Sequence, residues 1–241
     1  IHKEPIELTL DRKSAKLYNR IVRDLLTDLD EAQNLFGSNF NILSHYGVES
    51  QRGGPEDEMR GRIMSKIGAL KMLCSHPKLL EISAAKFKQM NGEGSSYAAN
   101  LMEEGALEGI THAVKLEYLL QYVNEFLEQD DNNKVVIFAT YVDMLDMIVE
   151  GLGAERCRLY SGKLDAKTKE DNKIAFNTDP SIRVLISSDA GGYGVDLPAG
   201  NLLINYDLPW SAGQANQRNG RDRKSTRLNS SHITISYAVF C

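Results

Sequence analysis

The chain has 241 residues, 42% hydrophobic and 25% charged, which is enough apolar material to bury a sizeable core and too much for a disordered segment. Its 28 basic and 33 acidic residues give a formal charge of −5; the last twenty residues hold three basic and one acidic, so residues 1–221 carry −7, which argues against a surface that binds nucleic acid throughout. The three cysteines, Cys74, Cys157 and Cys241, form no CxxC pair and exclude a disulfide framework, and no apolar run approaches the roughly 18 residues of a membrane helix.

In chain order, Ile6–Leu10 alternates and predicts a short strand, after which Asp11 or Ser14 can cap a helix reaching about Leu35. Leu17, Ile21, Leu25, Leu26 and Leu29 recur at the spacing one buried helix face requires. Gly47–Glu58, with paired glycines and a proline, predicts a polar loop, and the helix Met59–Cys74 stops at Ser75-His76-Pro77. His76 reads as a capping or packing residue rather than a catalytic base. Residues 83–111 are less regular, with a flexible insertion expected at Asn91–Ser96. Cys74 and Cys157 are expected to be buried, reduced thiols.

From His112 an amphipathic helix runs to about Gln129. Strands near 135–139, 156–160, 182–187 and 201–205 then alternate with helices over 141–151 and 165–177, a short helix after Gly194 and a last helix carrying Gln217–Arg221. This alternation predicts an α/β fold, a parallel sheet with helices on both faces. Ligands on such sheets sit at the carboxyl ends of the strands, where Thr140, Ser187, Asp196 and Asp207 fall. Ser161-Gly162-Lys163 lacks the upstream glycine and following hydroxyl of a GxxxxGK[ST] phosphate loop and reads as a turn. No metal ligands are assigned.

The stretch Val184–Arg221 carries the chemistry. Gly191, Gly192 and Gly194 follow a buried strand and let the backbone come within hydrogen-bonding distance of a phosphate or sugar, although such a turn is equally at home as plain strand-to-helix structure. Arg218 and Arg221 follow a second strand; guanidinium groups stay charged and bind phosphoryl oxygens bidentately, whereas two arginines alone describe an ordinary solvated surface.

SSDAGGYGVDL (Ser187–Leu197) resembles motif V, and QRNGR (Gln217–Arg221) the start of motif VI, of superfamily 2 helicases, with the Swi/Snf-like ATPases the most similar subgroup. In the same order along the chain, IGALKMLCSHPKLL (Ile67–Leu80), VKLEYLL (Val114–Leu120), KVVIFATYVDMLDMIVEGL (Lys134–Leu152) and YSGKLDAKTKEDNKIAFN (Tyr160–Asn177) resemble further segments of that family. Together they cover most of residues 60–221.

The resemblance implies a phage or bacterial type of C-terminal, RecA-like helicase lobe over 112–221, preceded by a helical annex and linker over 1–111. The phosphate loop and acidic box belong in that family to a first lobe, so the chain is expected to be a fragment at both ends and inert alone. ATP and Mg2+ would be held mainly by that upstream lobe. By resemblance Arg221 is the catalytic arginine finger; Gly194, Asp196, Gln217 and Arg218 bind the nucleotide; Thr140, Ser187 and Ser188 touch the nucleic-acid backbone. For these hydroxyls helix capping is the competing role. Double-stranded DNA or another nucleic acid is the implied partner, since a narrow track of donors can grip a backbone even on an acidic chain. The expected function is an ATP-hydrolysing DNA translocase of the cytoplasm, with a strand-separating helicase lobe and a non-catalytic adaptor as alternatives. The family has arginine where Lys169 stands, and its second finger falls at Lys224, to which that role is not carried over. Asp222–Cys241 does not continue motif VI; it resembles one reading frame of a short-read sequencing adapter and is expected to be a non-native tail, although its alternating Ile233, Ile235, Tyr237 and Val239 also fit an edge strand.

Overall fold

In a computed structural model, residues 6–38, 40–42, 54–89, 93–188 and 197–207 are described in full, and residues 39 and 231–237 by their backbone. The chain divides into two compact units, Leu10–Ala113 and Ile1–Thr9 with Val114–Cys241. Among the described residues no helix is long and apolar enough to cross a membrane.

The first unit is helical: α1 (Arg12–Phe36), α2 (Pro55–Ser75), α3 (Lys78–Gln89) and α4 (Ser96–Glu103). Asp11 caps α1, accepting from the backbone N–H of Lys13 at 2.9 Å and of Ser14 at 3.2 Å. Burial lifts this carboxyl, but the hydrogen bonds from Ser14 and Lys13 outweigh it and hold the group below its usual 3.8. A depressed carboxylate stabilises the fold fully above the unfolded value and loses that contribution as pH falls through the folded one. Asp11→Ala is therefore expected to cost about 1 kcal/mol at neutral pH and to flatten the acid limb of a Tm-against-pH curve.

Leu17 and Ile21 are buried with Leu73, Leu80 and Leu101 in one core cluster, while Leu25 and Leu29 pack half-buried against Ala32, Met59 and Ile63. Leu26 is 53% exposed, because the face that turns inward continues through Asp28 rather than through Leu26. Asp28 is buried and meets Lys66 Nζ at 2.5 Å and Arg62 at 2.6 Å, an ion pair that occupies a position apolar periodicity does not reveal. Helix α2 begins at Pro55, ahead of the expected Met59: proline suits the first turn, and Glu56, Asp57 and Glu58 complement the helix dipole there. His76 Nδ1 accepts from Lys78 N at 3.1 Å at the start of α3, a capping role. Residues 83–111 are more regular than their sequence suggests, since Ser95 caps α4 through Ala98 N. Cys74 is only half-buried, against expectation.

The second unit is an all-parallel sheet of β1 (Ile6–Leu8), β2 (Val135–Ala139), β3 (Cys157–Tyr160), β4 (Val184–Ser188), β5 (Leu202–Asn205) and β6 (Ser231–Tyr237), in the order β1-β6-β5-β2-β4-β3. Strands β2, β4 and β5 are buried at every position, which is why they read as continuous apolar runs instead of alternating ones. Helices α5 (Val114–Gln129), α6 (Val142–Leu152) and α7 (Ala166–Thr178) complete it. Phe176 of α7 packs with Val136, Phe138, Leu185 and Leu203 on one face; α6 contacts β2, β3 and β4 from the other and meets α5 so closely that a Cβ on Gly151 would lie 2.6 Å from Leu120 Cδ1. This is the RecA-like sheet the sequence predicts. Strand β1, grouped with the helical annex in the sequence, instead pairs with β6, and β6 itself falls inside the segment 222–241.

The amino ends of the strands are tied down by cations. Lys134, just before β2, donates from Nζ to the carbonyls of Phe176 and Asp179 at 2.6 and 2.7 Å, at the end of α7. Arg183, before β4, donates to Leu127 and Asp130 at 2.7 and 2.6 Å, at the end of α5. Arg156, before β3, binds the Leu152 carbonyl at the end of α6 and reaches Asn124 of α5 at 2.6 Å. Each cation meets the carbonyls a helix terminus leaves unpaired and the negative end of its dipole. Burial pushes the Cys157 thiol beside them up to about 11, so it stays protonated and unreactive at neutral pH.

Candidate functional site

The opposite, carboxyl edge of the sheet is where the chemistry-bearing side chains gather. Ala139 is level with Ser188, and Phe138 with both Ser187 and Asn205, so the ends of β2, β4 and β5 lie side by side. Thr140 follows β2 directly, and the register brings it to the same edge as Ser187 and Ser188. Both serines are buried; Ser187 Oγ donates to the Ser188 carbonyl at 3.1 Å. Thr140 differs. Its Oγ1 is buried and makes no hydrogen bond among the described residues. Helix α6 begins at Val142, with Tyr141 as its cap residue making no side-chain capping bond, and the Thr140 hydroxyl does not cap it either.

Sequence reasoning passed over Lys115 and left Asp207 as a bare strand-end position. Lys115 is buried in the first turn of α5, where its charge opposes the helix dipole, and it is held by Asp207 Oδ1 at 3.1 Å and lies 4.6 Å from the Tyr206 ring centroid. Asp207 Oδ2 accepts the Thr140 backbone N–H at 3.1 Å. One carboxylate thus joins the ends of β2 and β5 to the start of α5. The signal available in the sequence was a lysine at the head of an apolar helix, VKLEYLL, which has to find a counter-charge if that helix packs.

Of the other expected site residues, Gly194, Asp196, Gln217, Arg218 and Arg221 lie outside the described residues, as do the short helix after Gly194 and the helix carrying QRNGR.

Residues 114–224 match the family model of the helicase conserved C-terminal domain. Over that stretch the chain resembles a helicase C-terminal domain. Among relatives, it is 25% identical over 217 residues to YwqA of Bacillus subtilis (strain 168), whose name gives it as a candidate ATP-dependent helicase/translocase; the match covers 89% of this chain and 19% of that protein. The SWI2/SNF2 ATPase C-terminal domain of Sulfolobus solfataricus superposes with a TM-score of 0.60 at 21% identity, covering 98% of this chain and 79% of the other. The SWI2/SNF2 ATPase core of the same organism in complex with dsDNA gives 0.64 at 20% identity, covering 99% of this chain and 41% of the other. The fold is therefore that of a Swi/Snf-like lobe. The chain spans about a fifth of the length of the curated relatives it matches.

Proposed function

We propose that this helicase lobe is the second half of a nucleic-acid-dependent ATPase that tracks along duplex DNA, with its carboxyl sheet edge facing the DNA backbone and the nucleotide. The observation that carries the reading is the buried Thr140 hydroxyl, which has no partner among the described residues and stands beside an uncapped helix start. A donor left idle at that edge, next to amides that favour an anion, is what a phosphate oxygen would engage. The relative's ATP-dependent translocase name and the DNA-bound structure of similar fold support the same reading.

In this reading Ser187 and Ser188 contribute to the backbone track alongside Thr140. Gly194, Asp196, Gln217 and Arg218 border the nucleotide, and Arg221 delivers a guanidinium to the charge that develops on the γ-phosphoryl oxygens as the two lobes close. ATP with Mg2+ supplies the transferable phosphoryl group and its counter-charge, both held mainly by the other lobe. Residues 112–221 are taken as the lobe and 222–241 as a non-native tail. The family match supports that division by ending at residue 224, the strand Ser231–Tyr237 stands against it, and resequencing the locus through this end tests it.

Thr140→Val removes the hydroxyl without removing a hydrogen bond among the described residues. Tm should stay within the range of a surface change, about 0.5 kcal/mol, while affinity for a labelled duplex falls about fivefold, one lost contact of ~1 kcal/mol. Unchanged duplex affinity would take Thr140 out of the interface. In a protein carrying both lobes, ATP turnover should rise on adding duplex DNA, and a strand-displacement assay separates tracking from unwinding.

A further inference from the structure

A second feature of the chain, remote in sequence from that edge, is a groove of about 360 Å³ lying wholly within the helical unit Leu10–Ala113, between the amino half of α1 and the turn at Gly105–Ile110. Lys13, Lys16, Arg20 and Arg23 line one side of it. Steps of three, four and three residues put all four on one helix face, in a row about 15 Å long at the 1.5 Å rise of a helix. Leu17 and Ile110 lie along its lining, and Glu108 brings one carboxylate to the far wall.

Three properties separate this row from a solvated helix face. Charge placement is the first: α1 has no acidic residue in its first turn and no basic one in its last, so its cations crowd the positive end of the helix dipole, the reverse of what helix stability favours. The walls are also fastened to each other. Lys13 Nζ donates to the Gly109 carbonyl at 3.2 Å, and Arg20 is paired with Glu104. Gly109 holds φ at +68°, and a Cβ there would lie 2.6 Å from the Lys13 ammonium, so a glycine makes that tie possible. Finally, Lys16 and Arg23 are exposed and have no ion-pair partner among the described residues. In a chain whose first 221 residues carry −7, such a stripe is local, not background.

We infer that this groove is a second binding site for a polyanion, and that its ligand is the phosphate backbone of a nucleic-acid duplex. A single small anion is held by converging donors; cations set in line along a helix, two of them forked arginines, suit a linear array of phosphates. The choice of a duplex over an acidic peptide rests on the function proposed above.

The test uses the full chain and a labelled 20-base-pair duplex, titrated across a series of salt concentrations, beside a polyglutamate peptide of matched charge. K16E/R23E should weaken duplex binding by tenfold or more, and K16Q/R23Q, which removes charge without reversing it, should make the slope of log K against log salt shallower by about 1.8, two released counterions. Helical circular dichroism and Tm should not change in either, since neither side chain makes a bond among the described residues. Duplex binding that Thr140→Val weakens but both double variants leave intact would overturn the groove and spare the proposed function. Polyglutamate binding as tightly as the duplex, or no binding of the duplex by the unaltered chain, would overturn the assignment of a nucleic acid to the groove.

Discussion

Replacing Arg221 by alanine, in a protein that carries both lobes, is expected to leave ATP binding within about threefold and to lower turnover by 10³-fold or more, the range measured for arginine fingers. The argument is one of timing and geometry. Most of the binding energy for the nucleotide comes from the lobe holding its phosphates, so ground-state affinity depends weakly on a group that arrives at closure. The γ-phosphoryl oxygens gain charge only at the transition state, and a guanidinium presented there stabilises that state selectively. Arg221→Lys keeps a positive charge but loses the two-pronged geometry and should recover only a minor part of the rate. Single-turnover hydrolysis beside equilibrium binding of a fluorescent nucleotide separates these effects. Turnover within tenfold of the unaltered protein would remove Arg221 from the catalytic set.

Asp207→Ala is the substitution expected to cost the fold most, about 3–5 kcal/mol, the range for breaking a buried ion pair. It removes the carboxylate that holds the buried Lys115 ammonium at the start of α5 and takes the acceptor from the Thr140 N–H. Asp207→Asn keeps an acceptor for Thr140 while losing the charge, and should fall between. Lys115→Met in the Asp207→Ala background should restore much of the loss, because it removes a buried cation whose carboxylate at Asp207 is gone. Urea denaturation of the unaltered chain, Asp207→Ala, Lys115→Met and the double variant forms the cycle, with Asp207→Asn measured beside it. A cost under 1 kcal/mol for Asp207→Ala would show that the carboxylate is not what holds this edge.

Much of the lobe is legible in the sequence because buried parallel strands announce themselves as unbroken apolar runs. Strands near 135–139, 156–160, 182–187 and 201–205 are all present within two residues, as are the helices expected over 141–151 and 165–177. What escaped has a common physical character: polar groups whose partners lie far along the chain. Asp28 sits on the inward face of α1 only because Lys66 and Arg62 arrive from α2, 38 and 34 residues away, and Lys115 is buried because Asp207 arrives from 92 residues away. Periodicity reports hydrophobicity, so it assigns such positions to the surface or does not see them. The start of α2 was missed for a local reason, since PEDE reads as a turn until the helix it caps is in place. That Thr140, Ser187 and Ser188 share one sheet edge follows from strand ends legible in the sequence; that the Thr140 hydroxyl has no partner among the described residues was not legible, because it depends on the packing around it.

The cations placed ahead of β2, β3 and β4 have a bearing on how this lobe comes apart. Lys134 grips a helix that lies two strands later in the chain, while Arg183 and Arg156 both reach back to α5. Each clasp therefore closes between different βα repeats, and none can be released by melting a single repeat. A lobe laced in this way resists the fraying of any one repeat, since local melting has to break a contact held by another.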